Sequence, residues 1–340
     1  MSLGGARRAL DAIRAADWWS YKIPPLLLTA YAGLAYFRLP PDTLAIVGRA
    51  MLAILAIAVF GYVQNDICDV DADRHAGKPN RMTGVGLGGR VAWLAAPATL
   101  ALAVVLSVGD RVLVLLVAAN LLVPTLYSVS PIRLKERDIW GALADAAGVH
   151  VLPMATVARA VTLMAPPTTA RTVFVVTALG WAAFAGLRGI IVHQVVDRDA
   201  DHAAGAETFG GRLGAARARV LIMRALLPAE LLSLVVFLAL VAAWMPVVWL
   251  ALVLYIAAET VKVRRKWTMP LFDHSGRTKE PYVPLVNNEL YEVWLPMAFA
   301  VQLAILHPVL WLLVAAHLYL FLPNMHLRAA VTLKVLEPSP

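Results

Sequence analysis

Charged residues are scarce in this sequence. Asp, Glu, Lys and Arg make up 15% of its 340 residues, whereas about 25% is usual for a soluble globular chain. Hydrophobic residues account for 60%, and the mean hydropathy is +0.71. A soluble protein of ordinary composition is therefore excluded, and the apolar excess indicates a membrane protein.

Cysteine is almost absent too, and so are segments of alternating hydrophobicity. Cys68 is the single cysteine, which excludes an internal disulfide framework and makes a poor zinc site without a second sulfur ligand. An outer-membrane barrel would need alternating segments of roughly ten residues, and the sequence shows none. The remaining class is a helical membrane protein.

Long apolar runs, separated by short charge-rich stretches, carry the hydrophobic excess. As helices, these runs are about long enough to cross a bilayer core about 30 Å thick. Inside hydrocarbon the backbone must satisfy its own polar groups, which a helix does. His307-Pro308 either separates two of the runs or kinks one, so nine or ten spans are expected. The predicted spans are 21–38, 44–64, 91–108, 111–127, 139–158, 173–194, 219–243, 246–262, 291–306 and the additional run 309–322.

Neither a linker nor a second domain is evident, so the sequence predicts one membrane-embedded domain over residues 1–340. Its core would be at about 10–306, with an extra helix and tail at 307–340. Basic residues concentrate in alternate connections, which the positive-inside rule places in the cytoplasm. Loop charge and lipid headgroups then explain the net charge of +8 better than nucleic acid does. These cations are Arg74, Lys78, Arg81, Arg90, Arg133, Lys135, Arg137, Arg198, Arg212, Arg217, Arg219, Lys262, Arg264, Arg265, Lys266, Arg277 and Lys279.

An acidic cluster lies where the second predicted span reaches the cytoplasm. If the helix continues there, Asn65, Asp69 and Asp73 share one face at i, i+4 and i+8, with Asp66 beside them. Like charges so close to hydrocarbon require a positive partner. Hard oxygen ligands suit Mg²⁺, which completes its shell with water and substrate phosphates. We call these four residues the first cluster.

A second acidic cluster lies at the corresponding end of the sixth predicted span. Asp197 and Asp201 are spaced i,i+4, and His193 precedes them by one turn. Each cluster alone is weak evidence. Two clusters on the same side of the membrane fit a diphosphate bridged by two or three Mg²⁺ ions, with the metals neutralising charge on the leaving group. We call Asp197 and Asp201 the second cluster.

Several cations and polar side chains lie near these clusters in sequence or interrupt apolar spans. Lys78, Arg81 and Lys135 are candidates for binding phosphate oxygens, although each is equally explained as cytoplasmic loop charge. Arg188 interrupts the sixth span roughly two and a half turns before the second cluster, and a buried arginine there is a functional candidate. Asp145 and His150 in the fifth span are either functional or helix-packing residues.

These motifs resemble the signatures of the UbiA superfamily of intramembrane prenyltransferases. The first is Asn65-Asp66-x-x-Asp69-x-x-x-Asp73 with Lys78-Pro79-x-Arg81, and the second is Asp197-x-x-x-Asp201-x-x-x-Gly205-x-x-Thr208. The stretch from Tyr127-Ser128 to Lys135 resembles the family's loop between its fourth and fifth helices. Arg14 resembles the arginine that opens the first span. Met82 departs from the proline that usually follows the motif arginine.

The resemblance implies an all-α bundle of about nine transmembrane helices around a central cavity, with a cytoplasmic cap. It implies a Mg²⁺-dependent transfer of an isoprenoid group from a prenyl diphosphate to an aromatic or other lipophilic acceptor. Both clusters would bind Mg²⁺ and diphosphate through Asn65, Asp66, Asp69, Asp73, Asp197 and Asp201. Phosphate or substrate contacts are expected from Arg14, Lys78, Arg81, Lys135, Arg188, Tyr127 and His193.

Other functions use similar residues and stay open at this point. A terpene cyclase would share the ionisation step without an acceptor, and a phosphoribosyl transferase would ionise phosphoribosyl diphosphate instead. A transporter would place acidic groups near the bilayer midplane on broken helices, whereas these clusters lie at helix ends near one surface. The sequence therefore favours an enzyme that is integral to the membrane, with its active site facing the cytoplasm.

Overall fold

The computed structural model describes residues 11, 13–75, 77–203, 207–264 and 286–336. These residues form helices joined by short loops, with no strand among them beyond an isolated bridge between Asp138 and Thr208. The predicted all-α class is confirmed. In chain order the helices are α1 (Ala15–Tyr36), α2 (Thr43–His75), α3 (Leu87–Leu106), α4 (Arg111–Ser128), α5 (Ile139–Thr162), α6 (Thr169–Val196), α7 (Arg198–Ala203), α8 (Phe209–Val241), α9 (Pro246–Arg264), α10 (Leu290–Leu306, preceded by one turn at Val286–Glu289) and α11 (Trp311–Leu336).

Six helices, α2 to α6 and α8, are long and apolar enough to cross a membrane, and shorter apolar helices follow at Pro246–Val261, Leu290–Leu306 and Pro308–Pro323. The chain is thus a multi-pass membrane protein, while the number nine stays a prediction. His307 separates two helices: α10 ends at Leu306, and a 3₁₀ turn at Pro308–Leu310 leads into α11.

Most helices are longer than the apolar runs that predicted them, and α2 and α8 are two clear cases. α2 continues beyond residue 64 to His75, carrying the acidic stretch with it. α8 begins at Phe209, ten residues before the predicted start. The prediction began too late because it followed apolar residues, whereas the first turns of α8 are polar and rich in arginine. Gly214 interrupts these turns at φ 69° and ψ 165°, a backbone conformation that favours glycine. Most of the basic loop predicted after α9 lies at 265–285, outside the described residues.

Three helices contain a wide π-helical turn directly before a Leu-Pro pair. Proline has no N–H to donate, and its ring crowds the carbonyl of the residue four positions earlier. A wider turn at this point relieves the crowding while the helix continues. The turns are Ala146–Val151 before Pro153, Ile222–Leu226 before Pro228 and Leu290–Trp294 before Pro296.

The helices group into two units. In the first, which contains Asp42–Val236 and the described residues up to Asp17, α2 packs against α3, α4 and α5, and α6 packs against α5 and the start of α8. Every residue of the two acidic clusters belongs to this unit. The single domain expected over residues 1–340 stays a prediction.

The second unit contains Trp18–Pro41 and the described residues from Phe237 onward. α9, α10 and α11 pack against one another within it. The α1 residues of this unit contact α11: Trp19 stacks on Phe321 with ring centroids 5.8 Å apart, and its indole N–H donates to the carbonyl of Leu320 at 3.1 Å.

Candidate functional site

The first cluster lies on the last turns of α2, which continues past it to His75. Asn65, Asp69 and Asp73 are therefore one helical turn apart, as the sequence predicted for a continuing helix. The apolar part of α2 packs in the core of the first unit, so the polar end of the helix is fixed in position.

Asp66 is the most buried acid of the first cluster, with 3% of the residue exposed. Its Oδ1 accepts a hydrogen bond from Nη1 of Arg14 at 3.2 Å, and the Arg14 guanidinium lies over the ring of Tyr62, 5.3 Å from its centroid. Its Oδ2 is buried and has no hydrogen-bond partner among the described residues. An unpartnered buried carboxylate oxygen is costly, so this atom is a candidate metal ligand.

Asp69 is held by two cations of the loop between α4 and α5. Nζ of Lys135 lies 2.6 Å from Oδ1 and 2.5 Å from Oδ2, and Nη2 of Arg133 donates to Oδ1 at 2.9 Å. Lys135 also donates to Oδ1 of Asn65 at 3.1 Å, as does the hydroxyl of Ser128 at 3.2 Å. The structure thus brings Lys135 to the first cluster and adds Arg133, which the sequence analysis named as a cation of this loop without assigning it to the site.

Asn80 joins the loop after α2 to the first cluster. Its Nδ2 donates to Oδ2 of Asp73 at 2.7 Å and to the carbonyl of Asp66 at 2.8 Å. Its Oδ1 accepts from the N–H of Met82 at 2.8 Å. Sequence reasoning overlooked Asn80, although its place between Pro79 and Arg81 in the basic motif could have drawn attention to it.

Met82 anchors the same loop from the other side. Its side chain is 1% exposed and packs with Val63 and Val70 of α2. Arg90 reinforces the turn because its guanidinium donates to the carbonyls of Val85 at 2.9 Å and Met82 at 3.3 Å. The departure from the family's usual proline is therefore accommodated by a buried apolar side chain.

Lys78 and Arg81 are exposed on this loop. Arg81 lies within electrostatic range of Asp66, and Lys78 lies within electrostatic range of Asp201. Lys78 therefore follows the first cluster in sequence and lies within electrostatic range of the second.

The second cluster lies where α6 ends. Asp197 terminates the helix, and the N–H of Asp201 donates to the Asp197 carbonyl at 2.8 Å, so the two acids stay one turn apart. Nε2 of His193 is 3.4 Å from Oδ2 of Asp197, with side chains 69% and 43% exposed. The hydroxyl of Thr208 donates to Oδ2 of Asp201 at 3.5 Å. The structure brings these four side chains together.

Burial raises the pKa of Asp201, and the negative charge of Asp197 raises it further. Lys78, His193 and the Thr208 hydroxyl act in the opposite direction. A cation bound near Asp201 would lower the pKa of this carboxyl and so favour its ionised form. Gly205, part of the second motif, lies outside the described residues.

A short backbone bridge joins the segments that reach the two clusters. Asp138, at the end of the loop that carries Lys135, forms a parallel bridge with Thr208. The carboxylate of Asp138 also forms an ion pair with Arg212 in the first turns of α8. The loop that contacts the first cluster is thereby connected to the segment that contacts the second.

Tyr127 lies near the end of α4, within electrostatic range of acids from both clusters. These acids are Asp69 and Asp201, and Asp145 of α5 acts on the same hydroxyl. Together with the position of Lys78, this proximity indicates that the two clusters and Tyr127 face one region.

Arg188 is the predicted site residue that the structure pairs elsewhere. Its Nε and Nη2 donate to the two carboxylate oxygens of Glu230 at 2.6 and 2.9 Å, and the two side chains are 3% and 0% exposed. This bidentate pair joins α6 to α8, and breaking it would leave a buried charge. The sequence could not show the pairing because Glu230 is 42 residues away. The predicted substrate contact of Arg188 stays a prediction.

The donor set fits Mg²⁺ shared with a phosphorylated ligand. Among the described residues, no three His, Cys, Asp or Glu side chains are grouped closely enough to hold a metal by themselves. Mg²⁺ typically uses one or two protein carboxylates and takes its other oxygens from water and phosphate. The free Oδ2 of Asp66 and the acids of the second cluster offer such a partial set.

Comparisons with known proteins indicate one family. The model of the UbiA prenyltransferase family matches residues 26–269. Comparison with curated proteins gives no match. Three solved structures of a UbiA homolog from Archaeoglobus fulgidus are similar in fold. The one bound to DMAPP and Mg²⁺ has a TM-score of 0.58 and 17% identity, covering 87% of this chain and 98% of that chain. The one bound to GPP and Mg²⁺ has a TM-score of 0.57 and 17% identity, covering 87% and 99%.

The third structure of this homolog has a TM-score of 0.57 with 16% identity, covering 89% of this chain and 98% of that chain. At such identities the likeness concerns the fold. The family match is independent of it and spans most of the chain, including both acidic clusters. The chain belongs to the UbiA prenyltransferase family.

Proposed function

We propose that this protein is a Mg²⁺-dependent prenyltransferase that moves an isoprenoid group from a prenyl diphosphate to an aromatic or other lipophilic acceptor, with release of diphosphate. The supporting observation is the contact series from Asp69 through Lys135 and its loop to Asp138, Thr208 and Asp201. It holds two acidic clusters beside one another. The A. fulgidus homolog bound to DMAPP or GPP with Mg²⁺ has the same fold.

The clusters would hold the metal ions and the diphosphate between them. Asn65, Asp66, Asp69, Asp73, Asp197 and Asp201 supply the oxygen ligands, and the unpartnered Oδ2 of Asp66 is one atom available to a cation. Bound Mg²⁺ would neutralise charge on the diphosphate and so make it a better leaving group. The motif aspartates are metal ligands in this proposal and not general bases.

The cations would stabilise the negative charge that develops on the diphosphate. Lys135 and Arg133 form ion pairs with Asp69, and Arg14 forms an ion pair with Asp66. Exposed Lys78 and Arg81 lie on the loop that follows α2. We expect each of these groups to contact phosphate oxygens once the carboxylates bind metal, and charge stabilisation of this kind contributes strongly to catalysis.

The reaction would proceed by ionisation of the donor. The allylic C–O bond breaks, its electron pair stays on the diphosphate oxygen, and the allylic cation is attacked by the acceptor, which then loses a proton. Apolar helices around the site would keep water away from the cation. Half-exposed Asp197 and largely exposed His193 stand at the outer edge of the site, where His193 could assist proton removal.

The site would face the cytoplasm. The loops after α2, α4 and α6 carry most of the cations near the clusters, and the positive-inside rule assigns such loops to the cytoplasmic side. The prenyl chain and the acceptor would then enter from the surrounding lipid, whereas diphosphate leaves to the aqueous phase.

The test measures diphosphate release by purified protein with Mg²⁺ and prenyl diphosphates of several lengths, with and without lipophilic acceptors. Asp69→Asn and Asp197→Asn are each expected to reduce release at least about 100-fold. Asp71→Asn is the matched control because Asp71 is 85% exposed on the same helix. Full activity in both variants, or no Mg²⁺-dependent release with any prenyl diphosphate, would contradict the proposal. Release with a cyclic product and no acceptor would favour a cyclase.

A further inference from the structure

Asp138 has a backbone conformation that its residue type rarely adopts. Its φ is 51° and its ψ is −125°, in a region that glycine enters far more readily than a residue with a Cβ. Such a conformation persists only where the surrounding contacts impose it, and it is most common at functional sites. The contacts of Asp138 therefore need an explanation.

Those contacts reach two different segments. The Lys135 loop, defined here as residues 129–138, ends at Asp138, and the Thr208 segment, residues 207–211, begins the first turns of α8. The Asp138 backbone bridges to Thr208 and its carboxylate pairs with Arg212. The Oδ1 atom of Asp138 is buried and has no hydrogen-bond partner among the described residues.

The Lys135 loop is packed closely against the start of α5. A Cβ at Gly141 would lie 2.8 Å from the carbonyl oxygen of Leu134 and 3.1 Å from the Cα of Lys135. Only glycine permits this approach without a shift of the backbone. The position of Lys135 over Asp69 therefore depends on how the loop leaves Asp138 and enters the helix.

The Thr208 segment is packed just as closely on the end of α6. The N–H of Gly210 donates to Oε1 of Gln194 at 2.9 Å. A Cβ at Gly210 would meet the carbonyl oxygen of Ile191 at 2.7 Å, and one at Gly211 would meet Oγ1 of Thr208 at 2.9 Å. Each segment is thus fixed to its own acidic cluster, and Asp138 connects the two.

We propose that Asp138 is a positioning residue that, through its bridge to Thr208 and its pairing with Arg212, sets the spacing between the two acidic clusters. The inference rests on the proposed function, because this spacing matters if one Mg²⁺–diphosphate group spans both clusters. Asp138 would act through Lys135 on one side and Thr208 on the other, without contacting the substrate.

A role in stability alone predicts a different pattern. The Asp138–Arg212 pair is 36% and 51% exposed, and ion pairs at such exposure contribute little to folding. The strained backbone of Asp138 opposes folding. Losing these contacts should therefore weaken metal binding more than it lowers thermal stability.

The experiment compares Asp138→Asn, Arg212→Gln, their combination, and Asp138→Gly in the full-length purified protein. Two quantities are measured: the melting temperature without ligand, and the Mg²⁺ concentration that gives half of the rise in melting temperature at a fixed concentration of inorganic diphosphate. Arg217→Gln is the matched control because Arg217 is exposed on the same helix as Arg212. Neither measurement depends on turnover.

Asp138→Asn and Arg212→Gln are each expected to raise the half-saturating Mg²⁺ concentration about tenfold, as loss of a group that orients metal ligands commonly does. The double variant should be no worse than the stronger single variant, because the two residues act as one unit. Asp138→Gly should show the same shift with an equal or higher melting temperature, since glycine relieves the strain. Arg217→Gln should stay within about twofold, as expected for an exposed side chain outside the contact.

The inference is overturned if Asp138→Asn and Arg212→Gln leave the half-saturating Mg²⁺ concentration unchanged while the wild type responds to Mg²⁺ and diphosphate. It is also overturned if the two effects simply add, or if Asp138→Gly lowers the melting temperature without shifting the Mg²⁺ requirement. A wild type that shows no Mg²⁺–diphosphate response would overturn the proposed function together with this inference.

Discussion

The two acidic clusters differ in how the protein neutralises them. In the first, each aspartate has a close donor from the protein: Arg14 for Asp66, Lys135 for Asp69 and Asn80 for Asp73. In the second, the described contacts of the side chains are longer, at 3.4 Å from His193 and 3.5 Å from Thr208. We call the first cluster compensated, because two of its three aspartates pair with cations, and the second open.

This difference suggests an order of events under the proposed function. A cation reaching Asp197 or Asp201 breaks no close ion pair with Lys or Arg among the described residues, whereas a cation reaching Asp69 competes with Lys135 and Arg133. A diphosphate arriving with its metal ions removes this competition because its oxygens offer the two side chains new anionic partners. The compensated cluster would then be completed by substrate, and the open one could bind metal first.

The largest expected effect comes from removing the cation that compensates the first cluster. Lys135→Gln should reduce diphosphate release about 100-fold because a charge that stabilises the leaving group is lost. The Mg²⁺ concentration needed for half-maximal release should fall, since Asp69 no longer has Lys135 as a competitor. Initial rates across a Mg²⁺ series measure both quantities.

The control for this experiment is Arg74→Gln, which removes a 64% exposed cation from the same end of α2 and should change neither quantity. A higher Mg²⁺ requirement in Lys135→Gln, or an unchanged rate, would show that Lys135 supports the carboxylate and does not compete for it. The comparison between a compensated and an open cluster would then be wrong for Asp69.

A smaller effect should separate the donors that hold the two clusters. Asn80→Ala removes hydrogen bonds to Asp73 and to the Asp66 carbonyl, and should raise the half-saturating Mg²⁺ concentration about tenfold. Thr208→Val removes one long hydrogen bond to Asp201, and should raise it by no more than about threefold, since bonds of that length are weak. The same Mg²⁺ series in diphosphate release measures both.

Asn80→Asp sharpens this second comparison. It keeps the size of the side chain but replaces the donor with a charge that repels Asp73, so its effect should exceed that of Asn80→Ala. Equal shifts for Asn80→Ala and Thr208→Val would indicate that both clusters are held equally firmly, which the distances argue against.

The parts of the site that lie on helices could be predicted from the sequence. Asn65, Asp69 and Asp73 recur at helical spacing directly after an apolar span, so their shared face follows from the geometry of the helix. Asp197 and Asp201 have the same spacing, and the positive-inside rule placed both sets at one surface. The three wide turns could not be predicted in this way, because Pro97 and Pro124 lie inside the apolar helices α3 and α4 without such a turn.

The parts formed by loops and distant pairs could not be predicted. Arg133 reaches Asp69 from a left-handed conformation with φ 39°, which no periodicity indicates. Asp138 meets Thr208 across 70 residues of chain through backbone contacts that its side-chain type does not reveal. Arg188 looked functional because it interrupts an apolar span, but whether a buried charge is free or paired depends on a partner that only the packing of α6 against α8 identifies.

The smallest effect on activity is expected at the opposite end of α4 from the site. Asp110 caps this helix, its Oδ1 accepting from the N–H of Leu113 at 2.9 Å, and Arg159 donates to both of its carboxylate oxygens. The hydrogen bond from Arg159 lowers the pKa of Asp110. The stabilisation that this ion pair gives the fold is therefore complete above the ordinary aspartate pKa and is lost as pH falls through the lowered value.

Asp110→Asn keeps a capping side chain and should lower the free energy of unfolding by about 1 kcal/mol at neutral pH. The melting temperatures of variant and wild type should converge in acid. Diphosphate release should be unchanged, because α4 spans roughly 27 Å between this pair and Ser128. A fall in activity larger than the loss of stability explains would mean that the compensated cluster depends on the far end of α4 as well as on the cations beside it.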